Sequence, residues 1–283
     1  MTPANLIIHC YISSFIKRLT DVFRRYYIHY MNLISLQSGS NGNCIYVESG
    51  EIKLLFDAGI SGKQAAERLA QAGRDITTID ALLISHDHAD HVKCAGIYQR
   101  KFGPRLCITE KTLRAARTSY DLGRLDDVDH FISGDSLQFG HVRVETFPTP
   151  HDGADGVSFI IDDGESRLGI FTDLGHVYGD LKNAVESVDA VLIESNYDPE
   201  MLKHGPYPQF LKSRISGPRG HISNIESAEL IALHGNRLRW ACVGHLSGDN
   251  NTPELALQTH REINSGMTYH LAGRYGVGDI LTV

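Results

Sequence analysis

The sequence predicts an α/β protein built as an αββα four-layer sandwich, two β-sheets face to face with helices on their outer sides. Three observations carry that prediction. From residue 31 onward, short apolar strand patterns bounded by glycine alternate with amphipathic helical patterns. They fall into two β-rich halves, each followed by helices, and packing sheet on sheet with helices outside buries every apolar face. Finally, several strand patterns deliver a histidine or aspartate at their C-terminal ends, which suits a site at the rim of such a sandwich.

In chain order, residues 32–36, 44–49 and 52–57 read as strands with Gly-bearing turns between them. Residues 63–72 are an amphipathic helix stopped by Gly73. Residues 80–85 form a buried strand, 92–102 a helix ending at Gly103, 105–109 a strand and 110–119 a helix. Strands follow at 130–132, 136–139, 142–147, 157–161 and 167–172, then a helix at 181–187 and a strand at 190–194. Ser223-x-x-Glu226 is a capping box before a helix over 225–234. Residues 240–244 are a strand. Thr252-Pro253 opens a helix to about 263, and a closing strand pair fills 267–283.

Composition narrows the function classes. At 42% apolar and 22% charged, the 283 residues exclude a disordered, collagen-like or coiled-coil chain. Apolar runs stop after a few residues, as in Ala81-Leu82-Leu83-Ile84, so no membrane interaction is expected. The net charge of −7 argues against coating nucleic acid by bulk charge and leaves room for an enzyme with a small basic groove. The five cysteines, at 10, 44, 94, 107 and 242, include no C-x-x-C pair, so reduced thiols and a cytoplasmic location are expected. Residues 1–30 carry +3, leaving −10 for the rest. They read as an N-terminal extension, compatible with a basic amphipathic helix over 12–27, ahead of a single domain over 31–283.

The strongest signal is His86-Asp87-His88-Ala89-Asp90-His91, directly after an apolar strand. On extended backbone, residues i and i+2 point the same way, so His86 and His88 converge on one ion. Asp90 and His91, at the start of the next helix, converge on a second. Imidazole nitrogens and carboxylate oxygens suit zinc first, and manganese or iron less tightly. His151, Asp173 and His245 each follow a strand and supply the missing ligand count.

On these residues the sequence resembles the metallo-β-lactamase-fold hydrolases, over residues 31–283. The resemblance implies that His86, His88 and His151 hold one metal, that Asp90, His91 and His245 hold the other, and that Asp173 bridges. Asp57, after an early strand, matches an acidic residue that orients a ligand or restrains the loop, and it is counted here with the catalytic group. The order Asp173, Glu194, His221, His245 is similar to that of tRNA 3′-processing nucleases of this fold, where a Glu pairs with a non-ligand His that assists the leaving group. Standing before a helix N-cap tends to lower the His221 pKa, and Glu194 would counter that. The bland alternative is that His221 packs under the helix start.

The turn Gly244-His245-Leu246-Ser247-Gly248-Asp249-Asn250, before a helix N-terminus, can present backbone N–H groups to phosphate, with Ser247, Gly248 and Asn250 the candidates. Together with Gln37-Ser38-Gly39-Ser40-Asn41-Gly42-Asn43-Cys44, it resembles the WalJ/YycJ-type bacterial group, associated with exonuclease-like cleavage of DNA. Only 71 residues separate Asp173 from His245, too few for an inserted β-CASP cap. The resemblance implies a cytoplasmic, dinuclear metal-dependent phosphodiesterase or nuclease, with DNA as substrate and no predictable protein partner. Two divalent ions would share a hydroxide that attacks phosphorus, and His221 would protonate the departing oxygen. The runner-up is a hydrolase of a small ester, thioester or lactam. A non-catalytic metal-binding sensor or scaffold is the reading of another class. Lys203, Lys212, Arg214 and Arg219, and separately Arg100, Lys101 and Arg105, are candidates for gripping a phosphate backbone, with Tyr197 and Tyr207 for stacking on bases. Cys94 is a remote candidate ligand, and His176 is the remaining histidine closest to the set.

Overall fold

In β1 (Met31–Gln37), β2 (Cys44–Ser49) and β3 (Ile52–Phe56), successive side chains point to opposite faces. Leu33, Ile45, Val47, Leu54 and Phe56 enter one buried layer, while Ile34, Leu36, Tyr46 and Leu55 enter another. This is the computed structural model of the chain, which describes residues 30–283. The N-terminal extension and its expected helix lie outside the described residues.

The first sheet continues through β4 (Ala81–Leu83), β5 (Arg105–Cys107) and β6 (Val128–Asp129), with β14 (Ile280–Thr282) on its other edge. Its seven strands run β14-β1-β2-β3-β4-β5-β6. The second sheet holds β7 (Ser136–Phe139), β8 (Val142–Pro148), β9 (Val157–Asp162), β10 (Arg167–Phe171), β11 (Ala190–Glu194), β12 (Trp240–Gly244) and β13 (Tyr269–Leu271). Its seven strands run β13-β12-β11-β10-β9-β8-β7. Leu33, Phe56 and Leu83 meet Val144, Phe159, Leu192 and Cys242 in the layer between the sheets. On the outside of the first sheet pack α1 (Gly62–Gln71), α3 (Ala95–Phe102) and α4 (Glu110–Ser119), through Ala65, Leu69, Tyr98 and Leu113. On the outside of the second pack α5 (Gly179–Ser187) and α8 (Asn224–His234), through Leu181, Val185, Leu230 and Ile231. The αββα sandwich is therefore the observed architecture. Parallel pairing of β3 with β4, and of β10, β11 and β12 with one another, sends their C-terminal ends to common edges.

Four local expectations are corrected. The helix expected over 92–102 is two pieces, α2 (Ala89–Val92) and α3, because Cys94 N–H donates to Ala58 O at 3.0 Å and leaves the helical ladder. The strand expected at 130–132 lies at Val128–Asp129, since its partner β5 ends at Cys107 and pairing extends no further than Asp129. The closing strands do not pair with each other: β13 runs parallel to β12, and β14 antiparallel to β1. Two helices went unexpected, α6 (Pro199–His204) and α7 (Gln209–Ile215). Asp198, whose side chain caps Met201 N, and Pro199 at the first turn were a readable start signal. No residue of α7 is buried, and its seven residues are too few for Phe210, Leu211 and Ile215 to mark a helical period. The last long helix, α9 (Pro253–Ile263), opens at Thr252 as expected.

Candidate functional site

The site is assembled where strands end and the chain turns sharply. Asp57 (φ 65°) and His245 (φ 53°) follow β3 and β12 directly, and Asp173 (φ 55°) follows β10 after Thr172, all three in left-handed backbone; Asp155 is the one other described non-glycine residue with positive φ. Such backbone costs roughly 1–2 kcal/mol per residue and persists only where the surroundings over-determine it. Here it swings three polar side chains over the sheet edges.

The side chains meet closely. His91 Nε2 lies 3.0 Å from Asp173 Oδ2 and 3.5 Å from Asp90 Oδ2. His245 Nε2 lies 3.5 Å from Asp173 Oδ2 and 3.8 Å from Asp90 Oδ2. On the other side, His151 Nε2 is 3.4 Å from Asp173 Oδ1 and 3.2 Å from His88 Nδ1. The rings of His86 and His88 stand edge to face with centroids 4.6 Å apart. Donor atoms within 4.8 Å of one another form four overlapping groups: His86, His88 and His151; His86, His91 and Asp173; Asp90, His91 and His245; and Asp173 and His245 with Glu194 and His221. All seven residues expected as ligands are thus brought together.

The opposite nitrogens are held by the protein. His91 Nδ1 lies 2.7 Å from Asp57 Oδ2, and Asp57 Oδ1 accepts from Ser85 N at 2.8 Å. Asp57 thus stands behind His91 rather than among the donor atoms. Ser85 Oγ is 3.0 Å from His86 Nδ1, Gly220 O is 2.8 Å from His151 Nδ1, and Glu194 Oε1 is 3.0 Å from His245 Nδ1. Such partners fix ring orientation and tautomer. Facing inward, His86 Nε2 and His245 Nε2 are buried without a hydrogen-bond partner among the described residues. An unpaired buried polar atom costs about 1–3 kcal/mol, and a cation between convergent nitrogens and carboxylate oxygens removes that cost. The donor set fits divalent metal ions.

The electrostatics reflect how closely carboxylates and imidazoles pack here. Burial pushes Asp90 and Asp173 up, but the surrounding imidazoles outweigh it and hold both well below the usual carboxylate range. Burial lowers the His86 and His151 imidazoles, favouring the neutral form that binds metal. Burial also works against His91, yet Asp57, Asp173 and Asp90 carry it well above the ordinary histidine value.

Glu194 and His221 form the expected pair. His221 Nδ1 lies 2.6 Å from Glu194 Oε1, and Glu194 Oε2 accepts from Leu174 N at 2.9 Å. Burial pushes fully buried Glu194 up, but His221 and His245 bring it down to about 2. Burial lowers His221, and Glu194 outweighs it, leaving the imidazole above its ordinary value. Helix-end lowering is therefore not the net direction. The imidazole sits within 3.5 Å of Asp173 Oδ1.

Other candidates are placed less simply. Ser247 N–H donates to Asn196 O at 2.8 Å, while Ser247 Oγ accepts from Asn250 N at 3.2 Å. Asn250 is buried beneath the turn, and Gly248 N–H makes no bond among the described residues. Tyr197 is buried, which removes it as a stacking surface, and Tyr207 Oη donates to Asp249 at 2.5 Å. Arg100 is spent on Leu122 O and Arg124 O, and Arg105 on Asp129. Cys94 lies outside the donor groups, its thiol raised by burial. His176 Nδ1 lies 2.8 Å from Pro218 O and stays outside them too. Sequence reading missed Asp152, whose Oδ1 is 3.2 Å from His88 Nε2 and whose Oδ2 accepts from Arg214 Nε at 2.7 Å. Its place directly after His151 was the available signal. No helix among the described residues is long and apolar enough to cross a membrane.

Comparison with known proteins identifies the family and the fold. Residues 38–227 match the model of the metallo-beta-lactamase superfamily. Exodeoxyribonuclease WalJ of Streptococcus pneumoniae serotype 2 (strain D39 / NCTC 7466) is 39% identical over 227 residues, covering 79% of this chain and 84% of that protein. Exodeoxyribonuclease YycJ of Bacillus anthracis is 36% identical over 224 residues, covering 78% and 84%. Among solved structures, the metallo-beta-lactamase fold protein YhfI from Bacillus subtilis superposes with a TM-score of 0.69 at 14% identity, over 90% of this chain and 100% of that one. Zinc-bound PqqB from Methylobacterium extorquens gives 0.68 at 18%, over 89% and 100%. These two establish the fold alone. By the family match, the identity to WalJ and YycJ and the convergent donor set, the chain belongs to the metallo-beta-lactamase superfamily.

Proposed function

We propose that the protein is a metal-dependent exodeoxyribonuclease that hydrolyses phosphodiester bonds in DNA. The observation that carries this reading is the Glu194–His221 pair, 2.6 Å apart and beside the donor cluster without belonging to the seven ligands. Hydrolysis of a thioester releases a thiolate that needs no such dedicated acid, whereas a departing sugar alkoxide needs a proton. The names of the WalJ and YycJ relatives point the same way.

In this reading, His86, His88 and His151 would hold one ion and Asp90, His91 and His245 the other. Asp173 would contribute to both sites, since one of its oxygens faces His151 and the other faces His91 and His245. Zinc is the first choice for this nitrogen-rich set, ahead of manganese or iron. When bound, the ions supply a nucleophile at neutral pH and polarise the phosphoryl group. The chain does the rest. Glu194 takes the Nδ1 proton of His221 in a hydrogen bond and so keeps the ring oriented. His221 Nε2 delivers its proton to the leaving oxygen. Gly248 N–H, the unspent donor of its turn, meets charge building on a phosphoryl oxygen. Asp57 fixes the tautomer of His91. A cytoplasmic location belongs to this reading, supported by the four cysteines among the described residues, all free and buried.

The test is a parallel assay on single-stranded DNA, RNA, a thioester and nitrocefin, with manganese and zinc each added. Turnover of DNA ahead of the others is expected. Preferential turnover of the thioester or nitrocefin would replace the nuclease reading, and no turnover of any would favour a sensor.

A further inference from the structure

We propose that Arg274 and Tyr275 form a subsite for the backbone phosphate and base flanking the cleaved bond in single-stranded DNA. The inference rests on the nuclease reading and adds residues outside the ligand set and the Glu194–His221 pair. A cavity of about 290 Å³ opens one residue beyond His245, lined by Leu246, Ser247, Gly248, Thr252, Arg274 and Tyr275.

Arg274 is the unusual member. It is half-buried and its Nη1 donates to Leu246 O, while Nε reaches Tyr275 Oη at 3.1 Å. No carboxylate pairs with it among the described residues, in contrast to Arg74, Arg167 and Arg237, which pair with Glu48, with Glu145 and Asp162, and with Asp189. A guanidinium held in place without a counter-ion is a receptor for phosphate oxygen, and its planar fork suits that geometry. Space is kept for it: a Cβ on residue 248 would stand 2.6 Å from Nη2, and one on residue 39 would stand 2.9 Å from Nη1.

Tyr275 supplies the aromatic surface. It is 75% exposed, its ring lies 5.5 Å from the Arg274 guanidinium carbon, and its carbonyl is fixed by Arg68 Nη2 at 3.0 Å. An exposed ring on anchored backbone gives any base a face to stack on. The cavity has room for a phosphate and its sugar, with the base outside on Tyr275.

The loop bearing Gly39 joins this subsite to the donor cluster. Ser38 N donates to Gly273 O at 3.0 Å, and Ser38 Oγ accepts from His245 N at 2.9 Å. Asn41 Nδ2 reaches Arg274 O at 3.4 Å, while Asn43 Nδ2 lies 3.0 Å from His91 Nε2. This gives the Ser38–Asn43 run a task, holding phosphate receptor and ligands in register.

The experiment is fluorescence anisotropy of a phosphorothioate-linked single-stranded DNA on the metal-replete protein, from about 50 to about 300 mM NaCl. Arg274→Gln is expected to raise Kd about tenfold and make the salt slope shallower by about 0.7, one phosphate contact on a single strand. Tyr275→Leu is expected to raise Kd about fivefold or more with the slope unchanged. Arg274→Lys should keep the slope and lose part of the affinity. If the parent protein binds and both Arg274→Gln and Tyr275→Leu match its Kd and slope, the subsite is overturned and the nuclease reading stands. Failure of the parent to bind or degrade the strand overturns both. If Arg274→Gln unfolds or loses metal, Tyr275→Leu and Arg274→Lys decide, and wild-type binding by both rejects the subsite.

Discussion

Glu194 Oε1 lies 2.6 Å from His221 Nδ1, and the same oxygen is 3.0 Å from His245 Nδ1. One buried carboxylate therefore braces both the proposed acid and a proposed metal ligand, so the two residues of the pair have different mutational signatures. His221→Ala is expected to lower kcat on DNA by roughly 10²–10⁴-fold, with metal content and Tm barely moved. A nitrophenyl phosphodiester, whose leaving group needs no proton, should be hurt far less. Glu194→Gln should show a smaller kcat loss together with about 10–100-fold weaker metal binding, because it also disturbs His245. Steady-state kinetics and metal titration check both. A His221→Ala protein that sheds metal would make the residue structural, and one with full activity on DNA would remove it from the chemistry.

Gly59 stands behind the donor cluster with no room for a side chain. A Cβ there would lie 1.6 Å from Asp90 O, which already accepts from Asn43 N at 2.7 Å. The obstacle is backbone, so it cannot swing aside as a side-chain tip could. Gly59→Ala is expected to cost about 1–3 kcal/mol or more and to weaken metal binding by displacing Asp90 and His91. Denaturant unfolding and metal analysis would check this. Unchanged values in both would mean that the loop yields without moving the ligands.

What could be read from the sequence divides along physical lines. The seven expected ligands were legible because they crowd into one six-residue motif or stand at strand ends, where alternation and apolar runs mark the boundary. The layers were legible for the same reason, since Leu33 and Ile34 already assign opposite faces. Features set by long-range contact were not. Cys94 leaves its helix because Ala58 O, far back in the chain, takes its N–H. The second partner of Glu194 depends on two parallel strands placing residues 194 and 244 side by side. Arg274 lies in a Gly-rich stretch with no period, and only the fold brings it against Gly248.

Metal stoichiometry tests the proposed ligand division. About two ions per chain are expected in the metal-replete protein. His245→Ala should lose one selectively, because the group of His86, His88 and His151 shares no member with that of Asp90, His91 and His245. Elemental analysis of both proteins decides. One ion in the unmutated protein would refute the dinuclear reading, and loss of both in His245→Ala would mean that the two groups do not fill independently.

His260, on α9, gives a pH dependence apart from the donor cluster. Its Nε2 is 3.2 Å from Ser195 Oγ, its ring packs 5.1 Å from that of Tyr269, and its Nδ1 is buried without a partner among the described residues. Ser195 Oγ donates to Asn224 Oδ1 at 2.6 Å, so the imidazole must be the donor to Ser195, in its neutral Nε2–H form. Burial pushes its pKa from 6.5 down to about 4. The unfolded chain therefore binds the proton first, and His260 favours folding fully above pH 6.5, a contribution lost as pH falls towards about 4. The full difference is on the order of 3 kcal/mol at about 1.4 kcal/mol per unit. Comparing the unfolding free energies of the parent and His260→Leu at about pH 8 and about pH 5 isolates it, since other titrating groups are common to both proteins. The parent is expected to lose more stability on acidification than the variant, by about 2 kcal/mol at pH 5. Equal acid losses would mean that His260 takes up its proton in the folded protein at an ordinary pH, and that the cavity around Nδ1 admits water.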